Sequence, residues 1–218
     1  MAGLGIPTTR SLAIIKTGEP VYREKPEPGG ILVRTALSHL RVGSFQYAAS
    51  DLGEAAVEAL ANHVIKQHFP ELSDQELRYS ELLAKVIEQQ AILIAQWMLV
   101  GFIHGVMNTD NISVVSETID FGPCAFMDEF NANKVFSSID REGRYAWSNQ
   151  PTVGLWNMAR FAETLLPILS KDSDTAIQIA ETRLAKFMPT FQSSFYTGLR
   201  QKLGIKEHSK NANEFSDD

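Results

Sequence analysis

The spacing of apolar residues changes near residue 52 and divides the chain into a β-rich start and a helical remainder. In the first part, short apolar runs at 11–16, 21–22 and 31–36 are separated by turn-forming residues, which predicts strands. The segment 24–30 is rich in proline, glycine and charge, and we predict a loop there. After residue 52, apolar residues recur every three or four positions, which is typical of helices.

Four helices are predicted in this second part. The first lies within 52–70, and the second is capped by Ser73, which a glutamate follows three residues later, and runs to Phe102. The second helix is apolar on all sides in its last third, so we expect it to be buried. Pro151 begins the third helix, and the last spans 174–188. The pattern therefore predicts an α+β fold that is predominantly helical.

The composition narrows the class of protein. A chain of 218 residues can form a sizeable core, and its formal charge of −6 argues against a general nucleic-acid binder. Its one cysteine, Cys124, excludes an intramolecular disulfide and fits a reducing compartment. The most apolar stretch, 91–103, is interrupted by Gln96 and is shorter than the ~20 residues that a membrane span needs. The start shows no targeting signal, so we expect a cytoplasmic protein that does not bind membranes.

Candidate chemistry is concentrated between residues 102 and 123, where a buried helix, a polar loop, a hairpin and an acidic turn succeed one another. The loop contains Asp110 and Asn111, and a hairpin of two short strands returns the chain to Asp120. Because such a hairpin brings its ends close together, Asn111 and Asp120 are predicted to share one cation. An amide oxygen and a carboxylate suit Mg²⁺, which completes its ligand shell with water and substrate phosphates.

The order of these residues matches that of protein kinases, which use a catalytic-loop Asp, an Asn ligand and a metal-binding Asp-Phe-Gly. The spacing differs, because kinases place four residues between the Asp and the Asn, whereas Asp110 directly precedes Asn111. An isolated Asp-Phe-Gly also occurs often by chance. On these residues alone, a polar loop followed by an ordinary hairpin turn remains an alternative.

Longer blocks of sequence give a more specific indication. They are HGVMNTDN at 104–111, ETIDFGP at 117–123, LGIPTTRSLA at 4–13, SHLRVGSFQY at 38–47 and GRYAWSNQP at 143–151. In content and order they closely resemble the signature of the selenoprotein O family. Members of that family look like protein kinases but transfer AMP, rather than phosphate, from ATP to hydroxyl groups on proteins.

The resemblance implies a role for each candidate side chain. Asp110 would accept the proton of the attacking hydroxyl, while Asn111 and Asp120 would bind Mg²⁺, with Mn²⁺ as the alternative metal. Asp120 would also lie against the phosphates of the substrate ATP. Arg34 and Arg41 would hold those phosphates, since a guanidinium donates two parallel hydrogen bonds to phosphate oxygens. Without the resemblance, we would interpret the two arginines as a solvated strand residue and a surface-loop charge.

Two further residues are weaker candidates. His104 could be catalytic, but a histidine at the end of an apolar helix is more often structural, and we interpret it as structural. Cys124 lies two residues after Gly122, where its oxidation could disturb the metal site, although a small buried residue is the more common case.

The resemblance also implies a fold and a division into segments. We expect a protein-kinase-like C-lobe in which residues 1–50 join it to an N-lobe, 51–205 form the helical lobe and 206–218 form a polar tail. The family's glycine-rich nucleotide loop and its lysine are expected before Met1. This chain is therefore expected to be a fragment or a degenerate gene product that binds ATP poorly and transfers little or no AMP.

Two other functions stay open. The same residues could deliver a γ-phosphoryl group, as in an ordinary phosphotransferase. The expected absence of the glycine-rich loop would also suit a non-catalytic nucleotide-binding or scaffold fragment. In the main interpretation the partners are ATP and proteins with accessible hydroxyl side chains.

Overall fold

The structure of the protein, a computed structural model, describes residues 1–205, and the predicted tail 206–218 lies outside the described residues. A short 3₁₀ helix (Ala2–Leu4) is followed by a β-hairpin of β1 (Arg10–Tyr22) and β2 (Pro26–Thr35), and the elements after the hairpin are mainly helices. The helices are α1 (Val42–Tyr47), α2 (Glu54–His68), α3 (Arg78–Leu99), α4 (Gln150–Leu169), α5 (Ser173–Leu184) and α6 (Phe187–Lys202). Two short strands, β3 (Phe102–Ile103) and β4 (Ala125–Phe126), pair between α3 and α4. The predicted α+β class is confirmed.

The hairpin is longer than the sequence predicts, and the predicted loop at 24–30 is wrong. Strand β2 already begins at Pro26, which is paired with Tyr22, and the chain turns at 23–25. Two antiparallel strands leave one edge of each strand unpaired, and proline is tolerated there because it lacks only the N–H. The proline-rich composition therefore marks an edge strand rather than a loop.

The apolar side chains of this hairpin are exposed on both faces. Ile14 and Ile15 are adjacent in β1, so they point to opposite sides, yet they are 78% and 51% exposed. Leu12, at an irregularity in the strand pairing, is 71% exposed. Within the described residues, neither face of the hairpin is covered by another layer.

The helical body has its core around α3, which contacts α4, α5 and α6. The last third of α3 is buried on several sides, as its apolar composition predicts, and Trp97 is among the largest fully buried side chains. Helix α4 approaches α3 closely at Gly154, where an added Cβ would lie 2.2 Å from Cδ1 of Ile94. Phe45 of α1 and Phe161 of α4 pack edge to face, with ring centroids 5.0 Å apart.

Two predicted helix boundaries are wrong. Ser73 does not cap α3, because its N–H closes a short 3₁₀ turn onto Pro70 and the helix begins only at Arg78. The same helix ends at Leu99 rather than at Phe102, since Gly101 adopts a left-handed φ of 71° and redirects the chain into β3.

The predicted last helix at 174–188 is two helices. Helix α5 begins at the cap Asp172, whose side chain accepts a hydrogen bond from the N–H of Thr175, and ends at Leu184. Helix α6 starts anew at Phe187, which is fully buried, and continues to Lys202. The break at 185–186 lets α6 pack against α3 in its own direction, which periodicity alone does not reveal. Across the described residues, no helix combines the length and apolarity that crossing a bilayer requires.

Candidate functional site

The first residues of the chain are fastened to the segment that carries the candidate chemistry. Both the N–H and the hydroxyl of Thr118 donate to the carbonyl oxygen of Pro7, at 2.9 and 2.8 Å. The indole N–H of Trp97 donates to the same hydroxyl at 2.9 Å, which ties this junction to the core of α3. The N–H of Thr9 donates to the Thr118 carbonyl at 3.2 Å. These hydrogen bonds fix the position of the backbone at Thr118, two residues before Asp120.

The predicted hairpin after the polar loop exists, but with less regular pairing than two strands at 112–115 and 118–119. One isolated bridge joins Ile112 to Thr118, and the turn between them passes through Ser116 with a left-handed φ of 54°. Ser113 is instead paired with Arg41. The hairpin is therefore held partly by the segment before α1.

This cross-pairing assembles four of the five predicted site residues. A cavity of about 250 Å³ is lined by Arg34, Arg41, Asn111 and Asp120, together with Thr9, His39 and Ile119. Arg34 comes from β2, whereas Arg41 is held beside Asn111 because the N–H of Val42 donates to the carbonyl of Ile112 at 3.0 Å. Two guanidinium groups, one amide and one carboxylate thus share a single concave site.

The side chains of Asn111 and Asp120 carry the kind of oxygen atoms that a hard divalent cation prefers as ligands. The Asn111 amide nitrogen donates to the carbonyl of Val106 at 3.0 Å, so its oxygen is the atom suited to a metal. Asp120 is a non-glycine residue with a φ of 56°, a strained conformation of the kind that clusters at functional sites. In the part of the chain that the structure describes, no three His, Cys, Asp or Glu side chains converge. Any metal here would take most of its ligands from water and substrate, as Mg²⁺ does.

Asp110 lies apart from these residues, although it precedes Asn111 directly. Its carboxylate packs against Gly43 in α1, so closely that a Cβ at position 43 would be 2.1 Å from Oδ1. It lines a different and larger groove between α1 and α2. The short 3₁₀ turn Thr109–Asn111 sends the two side chains to different cavities. The structure thus brings four candidates into one cavity and places the fifth in a different groove.

His104 has a structural environment. It is almost fully buried, its Nε2 donates to the carbonyl of Ile119 at 2.8 Å, and its own N–H donates to the side chain of Gln150 at 3.0 Å. Burial lowers the pKa of His104 below its ordinary value of 6.5, against the smaller raising effects of the Ile119 carbonyl and of nearby Asp120. The neutral ring therefore fixes the residue just before Asp120, in agreement with the structural interpretation.

Cys124 is half-buried rather than fully buried. Burial raises the pKa of its thiol, and the negative charge of Asp120 adds to this effect. The neutral thiol is a poor metal ligand and a poor nucleophile, because both roles need the thiolate.

Thr9 and His39 line the cavity and were not among the predicted site residues. The hydroxyl of Thr9 is buried and has no hydrogen-bond partner within the described residues, so it is available to a bound group. Both residues fall inside the sequence blocks 4–13 and 38–47. Membership of those blocks was the one available signal, because a lone threonine or histidine indicates no particular chemistry.

Comparison with known proteins identifies related sequences over almost the whole chain. A family model described as protein adenylyltransferase SelO matches residues 1–216. A protein nucleotidyltransferase YdiU of Shewanella denitrificans is 62% identical over 205 residues, which cover 94% of this chain and 40% of that protein. Proteins with the same description from Bacillus cereus and Halalkalibacterium halodurans are 54% and 56% identical, over 94% of this chain and 42% of theirs. This chain thus spans about two fifths of the length of these relatives.

Proposed function

Because this chain belongs to the protein adenylyltransferase SelO family, we propose that it carries the catalytic residues of an ATP- and metal-dependent transferase of AMP. The acceptors would be Ser, Thr or Tyr hydroxyls of proteins. The observation that carries this proposal is the single cavity in which Arg34, Arg41, Asn111 and Asp120 meet. These residues are distant in sequence, and each suits the recognition of a metal-bound polyphosphate.

The two arginines would bind the phosphates of ATP. Each guanidinium can donate two parallel hydrogen bonds to phosphate oxygens. The free hydroxyl of Thr9 would add one more donor from the same wall of the cavity. Asn111 and Asp120 would hold Mg²⁺, or Mn²⁺ as the alternative, and the ion when bound would neutralise charge on the phosphates.

Asp110 would act on the acceptor. The acceptor oxygen attacks the α-phosphorus of ATP, its bond to that phosphorus forms, and the bond from the α-phosphorus to the bridging oxygen of the β-phosphate breaks. Pyrophosphate leaves with the electron pair, and the hydroxyl proton passes to the Asp110 carboxylate and then to solvent. Gly43 has no side chain and so leaves room for this carboxylate beside α1.

We extend the proposal to the fold, as a protein-kinase-like C-lobe formed by 51–205, with 1–50 as the segment that joins it to an N-lobe. The order of Asp110, Asn111 and the Asp-Phe-Gly at 120–122 supports it. The separation between an uncovered hairpin and a packed helical body is also in keeping with this division.

Two isotopic labels of ATP test the reaction. The enzyme for this test is a chimera in which this chain replaces the matching 205-residue region of the Shewanella denitrificans relative. With ATP labelled at the α-phosphorus the protein product should retain the label, and with ATP labelled at the γ-phosphorus it should not. Retention of γ-label instead would establish the phosphotransferase alternative, and no labelling by either would favour the non-catalytic one.

The 218-residue chain by itself should bind Mg-ATP weakly and transfer little AMP. The arginines and the metal pair would contact only part of a triphosphate, and the family's glycine-rich loop and lysine would supply further contacts. Each such charge-assisted contact that is absent costs ~1.5–3 kcal/mol. The loss of two of them lowers the affinity for Mg-ATP by orders of magnitude. Calorimetry with Mg-ATP decides, and micromolar binding with robust labelling by this chain would contradict the expectation.

A further inference from the structure

A groove distinct from the cavity that contains the two arginines is lined in part by Asp110. It has a volume of about 720 Å³ and is bounded by α1, by the π-helical turn Ala48–Leu52 and by α2. Its walls are mainly apolar, and among the described residues that line it Asp110 is the one carboxylate and His63 the one histidine. Protein pockets that hold ligands are typically of this size, ~300–1,000 Å³.

Local structure explains why the groove is open. Helix α2 turns Val57 and Ala61 toward the core, while the small side chain of Ala59 lies on the groove side and leaves space. The turn Ala48–Leu52 has five-residue π geometry, which is frequent at functional sites. In this turn 60% of the surface of Leu52 is exposed. Tyr47, at the end of α1, is equally exposed on the same wall.

The position of Asp110 indicates what the groove receives. Asn111 lines the cavity of the two arginines, whereas Asp110 reaches the groove next to Gly43. A nucleotide held by those arginines would fill the first cavity. An acceptor hydroxyl that gives its proton to Asp110 would therefore approach from the groove.

Resting on the function proposed above, we propose that this groove binds the acceptor segment of the protein substrate, with an apolar side chain adjacent to the residue that receives AMP. The exposed Leu52 and Tyr47 favour an apolar neighbour, because its burial would remove apolar surface from water on both sides. An acidic neighbour is disfavoured, because its carboxylate would lie close to Asp110.

Matched variants isolate the groove. Leu52→Ser removes an apolar contact, and Leu77→Ser is its control, because both leucines are 60% exposed and Leu77 lies outside the groove. Ala59→Trp fills the groove from an exposed helical position. None of the three substituted positions lines the cavity that contains the arginines.

The test compares three peptides that differ only beside one acceptor serine, with leucine, glycine or aspartate at that position. In the chimera described above, kcat/KM for AMP transfer should be about tenfold higher for the leucine peptide than for the glycine peptide, and lowest for the aspartate peptide. Leu52→Ser should remove most of this preference by raising KM for the peptide and not KM for ATP. Ala59→Trp should lower labelling of the leucine peptide about tenfold or more, and Leu77→Ser should behave like the parent.

The outcomes separate this proposal from the proposed function. Equal labelling of the three peptides, or groove variants that behave like Leu77→Ser, would overturn the groove while AMP transfer itself stands. If no peptide is labelled, the proposed function fails, and binding of the leucine peptide to the 218-residue chain is then measured by fluorescence anisotropy. Binding that Ala59→Trp abolishes supports peptide recognition by the groove, whereas an absence of binding overturns the groove proposal. Self-association that Ala59→Trp abolishes, measured by ultracentrifugation, would assign the groove to a second copy and also overturn the proposal.

Discussion

The hairpin of β1 and β2 and the helical body around α3 use similar apolar residues in opposite ways. In the body, residues such as Trp97 and Phe161 are almost wholly removed from water. In the hairpin, Ile14 and Leu12 lie mostly in solvent, and the strands are held chiefly by their own hydrogen-bonded ladder. A two-stranded sheet without a packed face is marginal in water. An apolar run of sequence therefore indicates that a segment is able to be buried, but it does not establish that the segment is buried.

The candidate site crosses this division. Arg34 belongs to the hairpin, whereas Arg41, Asn111 and Asp120 are positioned by the body and by the segment 7–9 that is fastened to it. Arg34 thus lies on an exposed two-stranded hairpin, whereas the other three residues lie on a packed body. Substitutions in the two parts should therefore differ in their effects on stability and on nucleotide binding.

The largest expected effect is in the core of the body. Phe161→Ala removes a fully buried ring that packs against Phe45, and it should lower the free energy of unfolding by about 3–5 kcal/mol. Urea unfolding followed by far-UV circular dichroism measures this change. A loss below about 1 kcal/mol would mean that the body is no better packed than the hairpin.

Within the site, Asp110 and Asp120 should have different effects. In the chimera, Asp110→Ala should lower turnover about a hundredfold or more with nearly unchanged affinity for Mg-ATP, because the proposed role of Asp110 is to accept the acceptor proton. Asp120→Ala should also weaken Mg-ATP binding, by about tenfold or more, because the proposed role of Asp120 is that of a metal ligand. Calorimetry and steady-state kinetics separate the two, and equal losses of nucleotide affinity would contradict these roles.

The two arginines compare the supports directly. Arg41 is held by a backbone bridge to Ser113, which belongs to the helical body, whereas Arg34 lies on the uncovered strand β2. Arg41→Ala should therefore weaken Mg-ATP binding by about tenfold or more, and Arg34→Ala by less, since an unsupported side chain loses more entropy on binding. Calorimetry on the chimera measures both. If Arg34→Ala weakened Mg-ATP binding more than Arg41→Ala does, the β1–β2 hairpin would already be ordered before the nucleotide binds.

Acid should destabilise the body through its buried histidine. Burial lowers the folded-state pKa of His104 below 6.5, so below this pH the unfolded chain takes up a proton that the folded chain does not. Stability is therefore retained above pH 6.5 and falls as the pH decreases from there, by up to about 1.4 kcal/mol per pH unit for one proton. His68, whose pKa is also lowered by burial, acts in the same direction.

Urea unfolding at about pH 7.5 and about pH 5.5 tests this prediction, with His104→Gln as the comparison. The parent chain should lose more stability between the two pH values than the variant does. Identical pH dependence of parent and variant would show that His104 does not contribute. The β1–β2 hairpin contains no histidine, so the loss of stability in acid that depends on histidine comes from the helical body.

The smallest expected effect is in the hairpin. Ile14→Ser replaces a side chain that is 78% exposed, so the free energy of unfolding should change by no more than about 0.5 kcal/mol. The same urea unfolding measures it. A loss of about 2 kcal/mol or more would mean that another surface covers Ile14 in solution.

The helical body and the turn back from Asn111 to Asp120 were predictable from local sequence. Periodic apolar positions gave α2 and α4 closely, because a helix encodes its buried side in neighbouring residues. The hairpin between Asn111 and Asp120 likewise followed from a short span of chain. The boundary near Ser73 and the division of α5 from α6 were not predictable, because nearby turns and packing against α3 decided them.

The sequence by itself determined the class of fold, the family and which residues carry the candidate chemistry, since blocks such as 104–111 and 117–123 hold that information locally. Only the tertiary structure decided that Arg34 and Thr9 reach the same cavity as Asp120, and that Asp110 faces a groove on the other side. Residues far apart in the chain are brought together by long-range packing and hydrogen bonds. Those contacts depend on how whole elements dock, which no local pattern of apolar and polar residues specifies.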